Sequence, residues 1–207
     1  MEERKANIAV LVSGGGTNLQ ALLDAQKNGE LPHGRIVLVV SDRAGAYALE
    51  RARTAGVEAL LCEKKTYPDR AAFECALSET LKKRGVELIV LAGFLSILSG
   101  DFTARWPRRI LNVHPSLIPS FCGAGFYGLK VHEAALEKGV KITGATVHYV
   151  NEIPDGGEIV LQKAVRVYPG DTPKSLQARV MRQAEWKLLP RALELAAREI
   201  AAERENG

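Results

Sequence analysis

Five short apolar runs rich in branched side chains punctuate the first 113 residues of this chain: NIAVLVS (Asn7 to Ser13), RIVLVVS (Arg35 to Ser41), VEALLC (Val57 to Cys62), VELIVLAG (Val86 to Gly93) and RILNV (Arg109 to Val113). Between the first four lie segments of helical character. Leu19, Leu22 and Leu23 follow the first run, Ala46 to Ala55 follows the second, and Phe73, Leu77 and Leu81 recur within Asp69 to Arg84. Strands apolar on both faces and alternating with helices require a parallel sheet buried between helical layers.

The second half changes character. KITGATVHYV (Lys141 to Val150) and EIVLQKAVRV (Glu158 to Val167) are longer strands joined by NEIPDGG, whose Pro, Asp and Gly predict a hairpin turn. Thr172 and Pro173 have the form of a cap followed by a first-turn proline, and Pro190 is expected to restart the closing helix in a second piece. The expected fold is therefore α/β: a Rossmann-like, open, mostly parallel sheet with helices on both faces, an antiparallel carboxyl-terminal strand extension, and a long final helix. A length of 207 residues suits one domain spanning 1–207.

Composition removes several classes of function. A hydrophobic share of 46% with 25% charged residues is that of a globular protein rather than a disordered or fibrous one. The formal net charge is only +4, and the basic residues, such as Arg51 to Arg53 and Lys82 to Arg84, are spread over helices instead of forming a basic block with aromatics. No nucleic-acid partner is expected. Cys62, Cys75 and Cys122 are odd in number, far apart and never in a Cys-x-x-Cys pair, which argues against a disulfide framework or a zinc site and fits the cytoplasm. The apolar runs Ile8 to Val12 and Leu88 to Leu98 are too short for a signal-peptide core or a membrane helix, so no membrane association is expected.

Two stretches carry residues that a fold alone does not need. In SGGGTN, Ser13 to Asn18, three glycines stand between a strand and a helix, where backbone N–H groups and the helix dipole favour a phosphate. The same stretch is equally consistent with a plain glycine turn capped by Thr17 or Asn18. It does not match the dinucleotide fingerprint, which needs glycine where Leu19 stands, or the Walker pattern, which needs Gly-Lys-Ser/Thr. Asp42 after the second run leaves only a weak ribose-binding option. The other stretch is RILNVHPSLIPS, Arg109 to Ser120. Side chains two apart on a strand share a face, so Asn112 and His114 point into one space at the strand's carboxyl end, and Pro115 holds the histidine extended. In open parallel sheets that edge is where ligands bind, and the glycine loop lies along it. An imidazole there serves acid–base chemistry, and the amide serves a carbonyl oxygen that becomes negative during acyl transfer. The histidine needs a carboxylate, for which Glu152 and Asp155 are candidates, although Asp155 before Gly156 and Gly157 is also what a bare turn looks like. His33, His132 and His148 are expected to be structural or solvated.

Taken together, VLVSGGGTNLQALLDA (Val10 to Ala25), IVLAGF (Ile89 to Phe94), LNVHPSLIPS (Leu111 to Ser120), GATVHYVNEIPDGG (Gly144 to Gly157) and GDTPKSLQARV (Gly170 to Val180) resemble the folate-dependent formyltransferases over nearly the whole chain. The resemblance implies transfer of a formyl group from 10-formyltetrahydrofolate, as co-substrate, to the amine of glycinamide ribonucleotide in purine biosynthesis. No metal and no covalent enzyme intermediate are implied, and the enzyme is expected as a monomer or homodimer. By motif, His114 is the general acid, Asn112 the donor to the formyl oxygen, and Asp155 the carboxylate partner of the histidine. Gly16, Thr17 and Asn18 are implied to hold the ribonucleotide phosphate, with Glu185, Trp186, Lys187 and Leu188 also on the ribonucleotide. The folate is implied to lie along Leu95, Ser96, Ile97 and Leu98, beside Asn112 and the hairpin residues Asn151, Glu152, Ile153, Pro154 and Asp155, with Arg70 near its glutamate tail. The nucleotide half is then about 1–100 and the folate and catalytic half about 101–207.

Three departures stand out. Gly93-Phe94-Leu95-Ser96 replaces the Gly-Phe-Met-Arg frequent in such proteins, FCGAGFYGLKVHE (Phe121 to Glu133) is longer than in many of them, and RQAEWKLLP (Arg182 to Pro190) holds one extra residue. Relatives that formylate methionyl-tRNA are expected to carry a further RNA-binding domain and alanine after the histidine, where this chain has Pro115. Those that hydrolyse formyltetrahydrofolate are expected to carry a regulatory domain ahead of a first strand that begins here at about Asn7. A nucleotide-binding sensor without catalysis and an NAD-dependent oxidoreductase are the remaining alternatives.

Overall fold

Strand β1 (Ala6–Val12) is the axis of the molecule. Its side chains alternate between two cores: Ile8, Val10 and Val12 join the cluster on one face of the sheet, while Ala9 and Leu11 join the cluster on the other. All five are fully buried, as a strand covered on both sides must be. The structure, a computed structural model, describes residues 4–205. The outermost ends of the expected 1–207 span lie outside the described residues.

Six further strands follow: β2 (Gly34–Ser41), β3 (Glu58–Leu61), β4 (Leu88–Leu91), β5 (Ile110–His114), β6 (Ile142–Tyr149) and β7 (Ile159–Arg166). Their spatial order is β3-β2-β1-β4-β5-β6-β7. The first five run parallel, and β6 and β7 add an antiparallel extension. The chain moves outward from β1 to β3, then returns to start β4 on the other side of β1. The carboxyl ends of β1 and β4 therefore flank a topological switch point, where the connections leave in opposite directions and open a crevice.

The helices are α1 (Thr17–Lys27), α2 (Tyr47–Thr54), α3 (Arg70–Lys83), α4 (Gly100–Ala104), α5 (Leu129–Glu137), α6 (Pro173–Val180) and α7 (Trp186–Glu205). Buried residues of α1, α2, α6 and α7 cover one face of the sheet, and those of α3 and α4 cover the other. Leu19 and Leu22 of α1 are fully buried, each contributing about 2 kcal/mol through the apolar surface it removes from water. Thr172 caps α6 in a reciprocal capping box with Ser175, and Pro173 opens the helix as expected.

Pro190 behaves differently from the expectation. It lies inside α7, and α6, a single π turn (Met181–Glu185) and α7 follow one another without interruption. The proline cannot donate to the carbonyl four residues back, which is that of Trp186, the first residue of α7. The lost bond thus falls at the junction with the π turn, where helical bonding already changes pattern, and no restart is needed.

Candidate active site

At the carboxyl end of β5 the structure brings three groups together. The Asn112 amide Nδ2 lies 3.5 Å from Asp155 Oδ1. His114 Nδ1 lies 3.4 Å from Asp155 Oδ2. Asn112 and His114 reach the same space because they are two apart on a strand, as the motif predicts. Asp155 arrives from the hairpin between β6 and β7, whose turn is set by local chemistry. The Asn151 side-chain oxygen accepts from the Ile153 N–H at 3.0 Å, Asp155 takes φ 55°, and a Cβ at Gly157 would fall 1.7 Å from the Tyr149 carbonyl oxygen. The aspartate is thus a turn residue and a site residue at once.

The polar environment of the trio is largely closed. His114 is 4% exposed, and its Nε2 lies 2.8 Å from the Phe121 carbonyl oxygen. A carbonyl only accepts, so Nε2 carries a proton. The Gly123 N–H donates to Asp155 Oδ2 at 2.9 Å, so the segment after β5 ties to both members of the pair. Burial pushes the Asp155 carboxyl up, but the His148 side chain, the Gly123 N–H and the charged forms of His114 and His148 outweigh it and hold it below its ordinary value.

The glycine loop closes the crevice from the β1 side. Gly16 has φ 72°, and a Cβ there would lie 2.7 Å from Ala48 Cβ, so only glycine lets α2 approach. The loop's carbonyls are engaged by α2: Ala48 N–H donates to Gly14 O at 3.1 Å and Arg51 Nε–H to Gly15 O at 2.8 Å. Among the described residues no acceptor takes the N–H groups of Gly15, Gly16, Thr17 and Asn18, which leaves them at the amino end of α1. Asn18 donates to Glu185 Oε2 at 2.7 Å in a buried contact. Burial pushes the Glu185 carboxyl up to about 6, against the opposing pull of that hydrogen bond. A π turn over Met181–Glu185 lies within the stretch from Arg182 to Pro190, and Glu185 at its end faces Asn18. Trp186, Lys187 and Leu188 diverge from Glu185: Trp186 is half-buried beside Pro190, Lys187 is exposed, and Leu188 is a core residue.

Leu95 and Ile97, in the segment after β4, and Ile153, in the β6–β7 hairpin, are exposed apolar side chains at 50%, 67% and 58%. Leu98 points into the core instead. The loop is braced by Ser13, whose hydroxyl accepts from the Leu95 N–H at 2.9 Å. Ser96, at the place of the frequent arginine, donates to Asp42 Oδ2 at 2.7 Å. Arg70 opens α3 and, with Arg43, Lys64 and Lys65, borders an open pocket of about 650 Å³ that also reaches Ser96. None of Asn112, His114 and Asp155 lines it, so the pocket does not contain the trio. Asn151, Glu152 and Pro154 lie in the exposed hairpin turn with Asp155.

Sequence reasoning passed over His148. It is opposite Asn112 in the β5–β6 ladder, 1% exposed, with Nε2 3.2 Å from Asn112 Nδ2 and 3.5 Å from Asp155 Oδ1. Opposed residues of antiparallel strands share a face, so pairing of the hairpin with β5 was the signal, and its register was not readable. His132 on α5 is fully buried, as a structural residue should be, and burial together with the charge of nearby His114 lowers it to about 4.

A profile of the Formyl transferase family matches residues 6–193. The chain is 44% identical over its whole length to the trifunctional purine biosynthetic protein adenosine-3 of Bos taurus, of which it spans only 20%. It is 41% identical to the phosphoribosylglycinamide formyltransferase of Haemophilus influenzae, over 88% of this chain and 83% of that one. The crystal structure of glycinamide ribonucleotide transformylase 1 from Symbiobacterium toebii superposes with a TM-score of 0.88 at 47% identity, covering 94% of this chain and 89% of the other. With its strand order, its glycine loop and its Asn-His-Asp cluster in place, the chain belongs to the formyl transferase family.

Proposed function

We propose that this protein transfers the formyl group of 10-formyltetrahydrofolate to the amine of glycinamide ribonucleotide, as one domain with a ribonucleotide half and a folate half. The observation that carries this reading is the convergence of the Asn112 amide, the His114 ring and the Asp155 carboxylate, at 3.5 Å and 3.4 Å, on the sheet edge that also holds the glycine loop. The free N–H groups of Gly16, Thr17 and Asn18 suit the phosphate, and Glu185 beside Asn18 suits the sugar and glycinamide part. The exposed apolar side chains Leu95, Ile97 and Ile153 suit a flat, largely apolar donor, and Arg70 suits its carboxylate tail.

The donor supplies an activated formyl carbon, and the ribonucleotide amine attacks it. As the formyl oxygen gains charge, Asn112 donates an N–H to it and the protonated His114 ring stabilises it, a geometry in which each donor lowers the barrier by about 3 kcal/mol. The Asp155 carboxylate faces the ring at 3.4 Å; the bond from the formyl carbon to the folate nitrogen breaks as the bond to the amine forms, and the proton lost by the amine passes through His114 or a bound water to that leaving nitrogen. The unpaired thiols Cys62, Cys75 and Cys122 fit action in a reducing cytoplasm on two small molecules, as a monomer or homodimer. Release of the folate product, followed spectrophotometrically, is expected only when glycinamide ribonucleotide is present. Equal turnover without it would assign hydrolysis in place of transfer.

A further inference from the structure

We propose that His148 is a positioning residue that fixes which edge of the Asn112 amide faces the reacting formyl group, an inference that rests on the formyl-transfer reading above. A carboxamide has two faces of opposite character, and only the NH₂ edge stabilises a developing oxyanion. Rotation by half a turn would present an oxygen to it instead. Something must therefore decide the amide's orientation before substrate arrives, and β5 itself has no means of doing so.

His148 has the means. Its Nδ1 lies 2.9 Å from the carbonyl oxygen of Tyr149, an acceptor only, so Nδ1 carries the proton. In the neutral ring Nε2 then accepts from Asn112 Nδ2 at 3.2 Å; the charged ring would instead turn its Nε2–H toward Asp155 Oδ1 at 3.5 Å, so the neutral form is the one that orients the amide. An amide oxygen at that place would face both the bare ring nitrogen and the Asp155 carboxylate oxygen, so the NH₂ edge is the one that fits. One amide N–H is committed to His148. The other meets Asp155 only at 3.5 Å, a weak contact that a formyl oxygen replaces at little cost.

The fold holds the histidine still for this purpose. His148 is opposite Asn112 in the ladder, so backbone pairing sets the spacing of the two side chains. The β6–β7 register slips between Val147 and His148, the kind of irregularity that re-aims a side chain next to a site. At 1% exposure the ring has no water to exchange partners with.

Transfer activity of four variants tests the inference: His148→Phe, Asn112→Ala, the double substitution, and His148→Gln, whose amide oxygen can accept from Asn112. Loss of the acceptor is expected to lower kcat about 100-fold, the loss typical of one oxyanion donor, with both KM values little changed. In the Asn112→Ala background the same change is expected to cost about twofold or less, because nothing remains to be oriented. His148→Gln is expected to recover most of the loss. If the phenylalanine variant does not fold, His148→Asn, too short to reach Asn112, takes its place in the same cycle. Full multiplication of the two single losses, or a loss lying in KM, would overturn the inference. Absence of ribonucleotide-dependent transfer by the unsubstituted protein would instead overturn the reading on which it rests.

Discussion

His114 and Glu185 show how burial is used in opposite ways at two points of one crevice. The His114 ring is enclosed, with the Phe121 carbonyl 2.8 Å from Nε2 and the Asp155 carboxylate 3.4 Å from Nδ1. Replacing it by alanine is expected to lower kcat by about 10²–10⁴ while calorimetric binding of glycinamide ribonucleotide stays nearly the same. Glu185 is enclosed with the Asn18 amide as partner, and its folded-state value of about 6 lies above the ordinary 4.5. Between those values the unfolded chain loses its proton first, so this residue's contribution to stability is present below about pH 4.5 and is lost as pH rises through 6. Glu185→Gln is therefore expected to raise the melting temperature at pH 7.5 but not at pH 4.5, corresponding to about 2 kcal/mol at the higher pH. Equal effects at both pH values would refute the burial argument.

Two short elements determine where site residues end up. The π turn at Met181–Glu185 adds one residue without changing the phase of the helices on either side, whereas a residue removed from regular α-helix turns the downstream face by about 100°. Arg182 is exposed, and among the described residues its side chain bonds only the Ala178 carbonyl, one turn back in α6. Deleting it is expected to leave the fold and the ribonucleotide KM nearly intact. Deleting Lys187, inside α7, is expected to rotate the buried stripe from Leu188 to Ile200 out of the core and abolish soluble expression. The hairpin turn is less tolerant. A Cβ at Gly157 would stand 1.7 Å from a backbone oxygen, so Gly157→Ala should open the turn, carry Asp155 away from His114, and lower kcat and melting temperature together.

Across the whole molecule, acid stability is expected to follow a residue outside the proposed chemistry. His132 is fully buried and lowered to about 4, below the 6.5 of an exposed ring. Between those values the unfolded chain binds more protons, so its contribution is complete above pH 6.5 and drains as pH falls toward 4, by about 3 kcal/mol. His132→Phe is expected to reduce the slope of unfolding free energy against pH in that window, measured by urea titration. The same distinction between local and distant causes separates what the sequence reveals from what it conceals. Alternating apolar runs and helical spacings sufficed for the parallel sheet, its antiparallel extension and the final helix, and the two-residue period of a strand placed Asn112 and His114 on one face. Each of these depends on neighbours a few positions apart. The restart expected at Pro190 failed because the adjoining π turn took up the misfit, a context that no local rule contains. Asp155, Glu185 and His148 are 43, 167 and 36 residues from the asparagines they contact. Their meeting depends on strand register and on which helix covers which face, and those are settled only when the whole chain minimises its exposed apolar surface and pairs its buried polar groups at once.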